Sequence, residues 1–276
     1  MYHALLTNRY LRTRVIPLIA VAAVGLCVAL VIIVVSVMTG FLGMVKDAGR
    51  TLMGDAVVSY PVRGLPNYDD LIARIDALPQ AAAAVPVVDG FGLLRMPYPD
   101  GPRKETETIQ FWAVDPIRFA KVTEYGETLY WKPPADAERA TMAEDDFRRT
   151  IMEAEDAGVE RLEEAYEAGR TLVPQREQQA NRPGIVMGIH VSRANERQKD
   201  GTYRPIRGPL GYWWMPRFEV VLTTLPVDTA VVSPQPESVA LQVVNEFTSG
   251  VFLIDDTRVI IPLEVGQRLM HLDEAA

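Results

Sequence analysis

The chain has 276 residues, a net charge of −8 and a single cysteine, Cys27. An acidic chain of this kind lacks the basic surface that binds phosphates, so we expect no nucleic acid partner. One cysteine cannot form a disulfide within the chain, which excludes a small disulfide-stabilised scaffold. The 230 residues after residue 46 are enough to bury a substantial hydrophobic core.

The first feature along the chain is an apolar run over 15–45, in which 31 consecutive residues carry no charged side chain. About 20 apolar residues span the hydrocarbon core of a bilayer as a helix. We therefore predict a transmembrane helix over 15–42. The alternative is a cleaved signal peptide, but such peptides have an apolar core of roughly 7–15 residues and a cleavage site with small residues. The run is longer than that, and residues 36–41 make a poor cleavage site.

The charges on either side of the run predict its orientation. Arg9, Arg12 and Arg14 precede it, no acid occurs in the first 14 residues, and a nearly neutral set of charges follows. Lys and Arg are retained on the cytoplasmic side of a membrane. We therefore predict a bacterial inner membrane protein with a cytoplasmic N-terminal segment over 1–14 and a periplasmic region after about residue 46.

Small residues recur along the predicted span. Gly25, Ala29, Ser36 and Gly40 are separated by four, seven and four positions, which places them near one face of a helix. Such a face lets a second helix approach closely within the bilayer, so these residues are the candidate helix-packing face. The alternative, that small residues are simply common in transmembrane helices, stays open.

The residues after the span predict a mixed α+β fold. We expect a strand over 55–60, a helix over 71–78 that Asn67 or Asp69 caps, short apolar runs at 85–88 and 93–96, and a strand over 108–114. This order of elements predicts an α+β periplasmic lobe over 50–133.

Residues 134–182 form a predicted acidic helical insertion and linker. Residues 134–172 contain twelve acids and five arginines, and their apolar residues keep helical spacing: Phe147, Ile151, Ala154, Leu162 and Ala165. This pattern predicts one or two amphipathic helices with a narrow apolar stripe. The insertion is either a docking arm or a solvated surface element.

The last part, 183–276, predicts a β-rich periplasmic lobe that ends in a helix. The expected elements are strands over 184–188, 217–223 and 238–246, a hairpin partner over 251–254, a turn at Asp255 and Asp256, a strand over 258–261 and a helix over 263–272. An aromatic loop over 208–216 either contacts lipid headgroups or a partner, or packs onto its own sheet.

No pattern in the sequence predicts catalysis, so we name no catalytic, cofactor-binding or metal-ligating residue. The histidines at His3, His190 and His271 are scattered and lack zinc-site spacing. The sequence has no nucleophile elbow and no phosphate-binding loop. Any energy-driven role therefore requires a separate ATPase.

Two blocks of sequence resemble one protein family. The first is RYLRTR at 9–14 with SVMTGF at 36–41, and the second is FTSGVFLIDD at 247–256 with VIIPLEVGQRL at 259–269. In this order they resemble FtsX-like/MacB-like ABC transporter permeases, most closely the lipoprotein-releasing (Lol-type) branch. Thr39 replaces the Asn that is usual there. GIVMG at 184–188 matches a strand of that branch less specifically.

The resemblance implies a four-helix permease with a MacB-like periplasmic domain, made of an α+β porter-like lobe and a β-rich lobe, between its first two transmembrane helices. It also implies partners: a cytoplasmic ABC ATPase subunit, another permease subunit in a dimeric assembly, and a lipoprotein or hydrophobic cargo. No cofactor is implied for this chain.

The chain departs from the family pattern because it stops at Ala276, before any second membrane helix. We expect either the N-terminal part of a split or truncated permease or a diverged single-pass relative. The functional hypothesis is a permease subunit of an ABC transporter. The alternative is a single-pass membrane-anchored periplasmic sensor or adaptor module that binds a ligand.

Overall fold

The computed structural model describes residues 15–59, 64–98, 101–139, 141–142, 146, 148–149, 158–175, 181–208, 211–224 and 236–272. The chain divides into two compact units, Met1–Asp47 and Ala48–Ala276. The fold is mixed α and β, with one apolar helix near the N-terminus.

Helix α1 covers Val15–Met53. Its segment Ile19–Gly43 is long and apolar enough to cross a membrane, and none of this segment is buried. The prediction of one long apolar helix near the N-terminus is therefore confirmed. Such a helix is consistent with a membrane anchor or with a signal sequence.

The second unit contains the remaining elements. Its described helices are α2 (Tyr68–Asp76), α3 (Pro116–Val122), α4 (Tyr125–Thr128), α5 (Asp136–Arg139), α6 (Gly158–Thr171), α7 (Phe252–Thr257) and α8 (Leu263–Leu269). Its described strands are β1 (Val87–Tyr98), β2 (Gly101–Val114), β3 (Gly184–Gly188), β4 (Asn195–Arg197), β5 (Tyr203–Pro205), β6 (Arg207–Gly208), β7 (Gly211–Tyr212), β8 (Glu219–Thr224), β9 (Glu237–Phe247) and β10 (Arg258–Pro262). A 3₁₀ turn covers Met215–Arg217.

Six strands close into a barrel in the order β1-β2-β10-β3-β9-β8. Strands β2 and β10 run parallel, as do β3 and β9, and the other neighbours are antiparallel. Closure leaves no unpaired strand edge within the barrel, which removes a site for unwanted strand pairing. Strands from the predicted 50–133 and 183–276 lobes share this barrel, and the lobe boundaries stay predictions.

The barrel interior is filled by apolar side chains. Alternate residues of β1 face inward, so that Leu94 and Met96 are fully buried while Phe91 and Leu93 are exposed. The ring of Phe111 occupies the space that a side chain at position 90 would need, which explains glycine there. The other interior residues come from every barrel strand and include Ile109, Ile185, Met187, Val220, Leu222, Leu241, Val243, Val259 and Ile261.

Part of the outer wall of the barrel is covered by helices. Trp112, Val114, Val186, Val244 and Ile260 point outward from β2, β3, β9 and β10 and form a second apolar cluster. The other members of this cluster are Leu52 of α1, Phe119 of α3, Tyr125 of α4, Leu129, Ala168 of α6, Leu172 just after α6, and Phe247 at the end of β9. The β9 strand is therefore buried on both faces over its last seven residues.

Several predicted elements are confirmed with shifted bounds. The strands predicted at 108–114, 184–188, 217–223, 238–246 and 258–261 correspond to β2, β3, β8, β9 and β10, and the final helix to α8. The two short apolar runs at 85–88 and 93–96 lie along one long strand, β1. Asn67 begins α2, but its side chain makes no capping bond because the residue has a left-handed backbone, with φ of 53°.

Three predictions are wrong or restricted. Residues 55–59 form no strand, and residue 60 lies outside the described residues. The predicted hairpin over 238–254 is wrong because residues 252–257 form α7, which also replaces the turn at Asp255 and Asp256. In the aromatic loop, Trp213 packs against the barrel core and Trp214 against the Trp131 ring, so the described part of the loop lies on its own domain.

Candidate functional site

The most unusual feature of the second unit is a pair of polar residues inside the buried end of β9. Asn245 and Glu246 are both 0 % exposed and lie within the buried run LQVVNEF, which also contains the polar residue Gln242. A buried polar group costs free energy unless it is hydrogen-bonded, and a buried charge costs more. The bonds of these two side chains therefore define the candidate functional site.

Asn245 connects β9 to two other parts of the chain. Its Nδ2 donates to the carbonyl oxygens of Trp131 and Ala165, each at 2.8 Å, and its Oδ1 accepts from the backbone N–H of Trp131 at 3.0 Å. The close approach of α6 depends on Gly169, where a Cβ would lie 2.9 Å from the Cβ of Asn245. One amide side chain thus fixes both the segment 129–131 and helix α6 against the barrel wall.

Glu246 accepts hydrogen bonds from three side chains. Oε2 accepts from Trp131 Nε1 at 2.8 Å, and Oε1 accepts from Asn195 Nδ2 at 3.0 Å and from Ser192 Oγ. None of the three donors carries a positive charge. We call Glu246, Trp131, Ser192 and Asn195 the Glu246 cluster. Its members come from β9, the segment 129–131, the loop after β3 and the start of β4.

Burial determines the electrostatics of the Glu246 cluster. Removal from water raises the pKa of Glu246 to about 7, although the bonds from Ser192, Trp131 and Asn195 act in the opposite direction. Burial, and to a smaller extent the charge on Glu246, also raises the pKa of the neighbouring Tyr130. The desolvation penalty exceeds the stabilisation by neutral donors, which is the expected balance when no cation bonds the carboxylate.

We compared the chain with known proteins. No family model matches the chain, and no curated protein sequence matches it. The resemblance to FtsX-like and MacB-like permeases therefore stays a prediction from the residues that carry it.

A second buried carboxylate lies close to the Glu246 cluster in sequence. Asp255 of α7 is 1 % exposed, and its Oδ1 accepts from the backbone N–H and from the hydroxyl of Ser249, both at 2.7 Å. Its Oδ2 accepts from Thr248 Oγ1 at 3.4 Å. Burial raises the pKa of Asp255, and the bonds from Ser249 oppose that shift. Asp255 therefore fastens the start of α7 to the turn after β9.

His190 occupies the loop after β3. Its Nε2 lies 2.9 Å from the hydroxyl of Tyr203, and its ring packs against the rings of Tyr203 and Phe252. Its backbone N–H donates to the carbonyl oxygen of Asp255 at 3.1 Å. His190 therefore packs between β5 and α7 and connects them.

The residues predicted to determine topology or helix packing lie elsewhere. Arg9, Arg12 and Arg14 lie outside the described residues. Gly25, Ala29, Ser36 and Gly40 are exposed on α1, and a Cβ at Gly25 or Gly40 would meet no atom within 4 Å. Their role as a packing face stays a prediction.

The possible metal-ligating side chains and the pocket beside α6 provide no ligand site among the described residues. Within the described ranges, no three His, Cys, Asp or Glu side chains are grouped so that they could hold a metal ion. A shallow pocket of about 30 Å³ lies beside α6, with Arg161, Glu164 and Trp214 in its lining. That volume accommodates one or two water molecules rather than a small-molecule ligand.

The sequence contained one signal for the site that the prediction did not use. A strand that is buried on one face alternates apolar and polar residues, whereas LQVVNEF has two adjacent apolar residues, Val243 and Val244, before two adjacent polar residues. That pattern indicates a strand covered on both faces with a polar pair in its interior. Ser192 and Asn195 had no comparable signal, because a loop sequence does not show which strand it will contact.

Proposed function

We propose that this chain is a permease subunit, or the N-terminal fragment of one, of an ABC transporter of the lipoprotein-release/MacB type. In this proposal the chain carries out no chemical step itself. A partner ATPase in the cytoplasm displaces the membrane helix, and the displacement moves the periplasmic barrel unit, which acts on a lipoprotein or another hydrophobic cargo. The N-terminus lies in the cytoplasm and the barrel unit in the periplasm of a bacterial inner membrane.

The observation that carries the proposal is the end of α1. The helix that contains the candidate span continues to Met53, and Leu52 in its last turn is 1 % exposed within the outer apolar cluster of the second unit. Gly54 ends the helix with φ of 68°, and a Cβ there would lie 2.9 Å from Val122 Cγ1 of α3. The last turn of α1 thus belongs to the second unit and packs within it.

This construction supports mechanical coupling for a physical reason. An α-helix has its backbone hydrogen bonds within the segment and resists stretching, so a shift at one end is carried to the other. Withdrawing a buried leucine from an apolar cluster costs roughly 2–5 kcal/mol, as large-to-small substitutions show. In the proposed mechanism this cost keeps Leu52 and the last turn of α1 within the second unit.

Purification of the full chain from native membranes in detergent tests the proposal. We expect an ATPase to co-purify with it, with ATP hydrolysis in the purified sample. Gly25→Leu and Gly40→Leu should still insert but should lose the ATPase and the dimeric assembly, because a bulky side chain on the predicted packing face blocks close helix contact. Ala20→Leu, on the opposite side of the helix, is the matched control and should retain both.

Two results would contradict the proposal. Full ATPase recovery with both glycine variants would remove the role of the packing face. A monomeric chain without an ATPase that binds a small ligand through its barrel unit would instead support the sensor or adaptor alternative.

A further inference from the structure

The donors around Glu246 suit a carboxyl group that changes its protonation state. When the group is ionised, Trp131 Nε1, Asn195 Nδ2 and Ser192 Oγ all donate to it. When it is protonated, the carboxyl hydrogen needs an acceptor, because a buried donor without one is costly. A site that holds both forms must therefore contain a group able to switch from donor to acceptor.

The Glu246 cluster contains two such groups. The hydroxyl of Ser192 lies 3.3 Å from the carbonyl oxygen of Ile189, so its hydrogen can turn to that oxygen and leave Oγ as an acceptor for Glu246. Asn195 Oδ1 is buried and has no hydrogen-bond partner among the residues that the structure describes. Exchange of the two ends of this amide would place Oδ1 towards Glu246 as a second acceptor.

The elements around the Glu246 cluster carry other titratable and charged groups, and these groups interact with partners of their own. Tyr130, on the segment 129–131, interacts electrostatically with Glu246. The others that can be named are Arg148 with Glu138 and Asp146, Arg193 with Glu105 and Glu107, His190 with Tyr203, Asp255 with Ser249, and Arg204 with Tyr212. Arg161 and Glu164 of α6 line the shallow pocket. The three hydrogen bonds to Glu246 come from the uncharged side chains of the cluster.

Glu246 is also hydrogen-bonded to the segment 129–131. Trp131 donates to it through Nε1, and the backbone N–H of Tyr130 donates to the Glu246 carbonyl oxygen at 2.8 Å. The Trp131 ring packs against Trp214 with centroids 4.5 Å apart. The segment 129–131 is thus bonded to Glu246 through the side chain of Trp131 and through the backbone of Tyr130.

We propose that Glu246 is a proton-uptake site that controls how firmly the segment 129–131 is held on the barrel wall. With the proton bound, the neutral carboxyl group stays buried and the segment stays closed. Loss of the proton leaves a buried charge whose side-chain donors among the described residues are neutral, which favours opening of the segment so that water can reach the carboxylate.

The direction follows from linkage. The pKa of Glu246 is raised from 4.5 to about 7 by burial, so the closed form binds the proton more tightly than a form in which the group meets water. The closed form is therefore most stable at low pH, loses stability as pH rises through the interval between these values, and stays at its lower stability above it.

Hydrogen exchange of the segment 129–131 in the full chain tests the proposal. After correction for the intrinsic pH dependence of exchange, opening of this segment should increase about tenfold per pH unit between the two pKa values and level off above the higher one. In Glu246→Gln, whose amide mimics the neutral acid, the corrected opening should not depend on pH. Glu264→Gln, at an exposed position in the first turn of α8, is the matched control and should behave as the native chain does.

The same experiment can overturn the proposal. Opening that is independent of pH in the native chain, or equally pH-dependent in Glu246→Gln, would contradict it. If Glu246→Gln does not fold, Ser192→Ala provides the second variant. Removal of a donor to the ionised form should shift the transition to higher pH, and an unchanged transition would contradict the proposal.

Discussion

The barrel interior and the end of β9 are stabilised in different ways. In the interior, side chains such as Phe111, Leu94 and Val243 are fully buried and apolar. At the end of β9, beside α6 and the segment 129–131, the buried side chains of Asn245 and Glu246 are polar. Apolar packing is insensitive to pH, whereas a buried carboxyl group makes stability depend on pH.

The difference shows where the barrel unit can respond to its surroundings. Close-packed apolar side chains leave few voids and transmit strain, so the interior is expected to behave as one rigid body. A polar network is satisfied in few arrangements and loses much when one bond is lost. Conformational response should therefore concentrate at the end of β9, in the Glu246 cluster and at the α6 contact.

The largest loss of stability is expected in the barrel interior. Phe111→Ala would open a cavity in the barrel interior and should lower the free energy of unfolding by about 4 kcal/mol. Chemical denaturation of the full chain in detergent measures this loss. Because no titratable group is involved, the loss should be the same on both sides of neutral pH, and a strongly pH-dependent loss would contradict the distinction.

The next effect concerns the end of β9. Asn245→Ala would leave the Trp131 N–H and the carbonyl oxygens of Trp131 and Ala165 without their partner, which should cost roughly 3 kcal/mol. The same denaturation measures it. Hydrogen exchange should show the loss concentrated at α6 and the segment 129–131. A uniform loss of protection across the barrel strands would mean that the end of β9 and the barrel interior do not differ in local stability.

A smaller effect is expected at α7. Asp255→Ala removes the acceptor of the Ser249 N–H and hydroxyl, and we expect a loss of about 2 kcal/mol. Chymotrypsin cleavage after Phe252 should become faster, because the start of the helix is no longer fastened to the turn after β9. Unchanged cleavage and stability would show that this carboxylate contributes little.

The smallest effect tests the uncovered part of the outer wall. Phe91 is 69 % exposed on β1, and no helix of the outer cluster covers it. Phe91→Ser should change the free energy of unfolding by less than about 0.5 kcal/mol. A large loss of unfolding free energy would contradict the exposed position of Phe91 and would indicate a contact at this site.

The sequence predicted the parts of the fold that depend on local pattern. The apolar run gave helix α1, and alternation or apolar runs between turn residues gave β2, β3, β8, β9 and β10. Turns were less certain, because FLIDDT at 252–257 has apolar residues followed by acids and fits either a hairpin or a helix. In the structure this segment is a helix, and in that helix the buried Asp255 accepts hydrogen bonds from the N–H and the hydroxyl of Ser249.

Barrel closure and the Glu246 cluster were not predictable from local pattern. The barrel brings β1 and β2 against strands more than 100 residues later, and pairing at that separation depends on the whole core. The Glu246 cluster joins Trp131, Ser192 and Glu246 from three separate places. Single residues of these types carry no sequence signal for meeting one another.

The most direct test of the account is the pH dependence of global stability in the native chain and in Glu246→Gln. Since burial raises the pKa of Glu246 from 4.5 to about 7, the native chain should lose on the order of 3 kcal/mol of unfolding free energy as pH rises through that interval, relative to the variant. Chemical denaturation at a series of pH values measures the difference. Parallel pH profiles for the two proteins, or a native chain that gains stability relative to the variant as pH rises, would contradict the account.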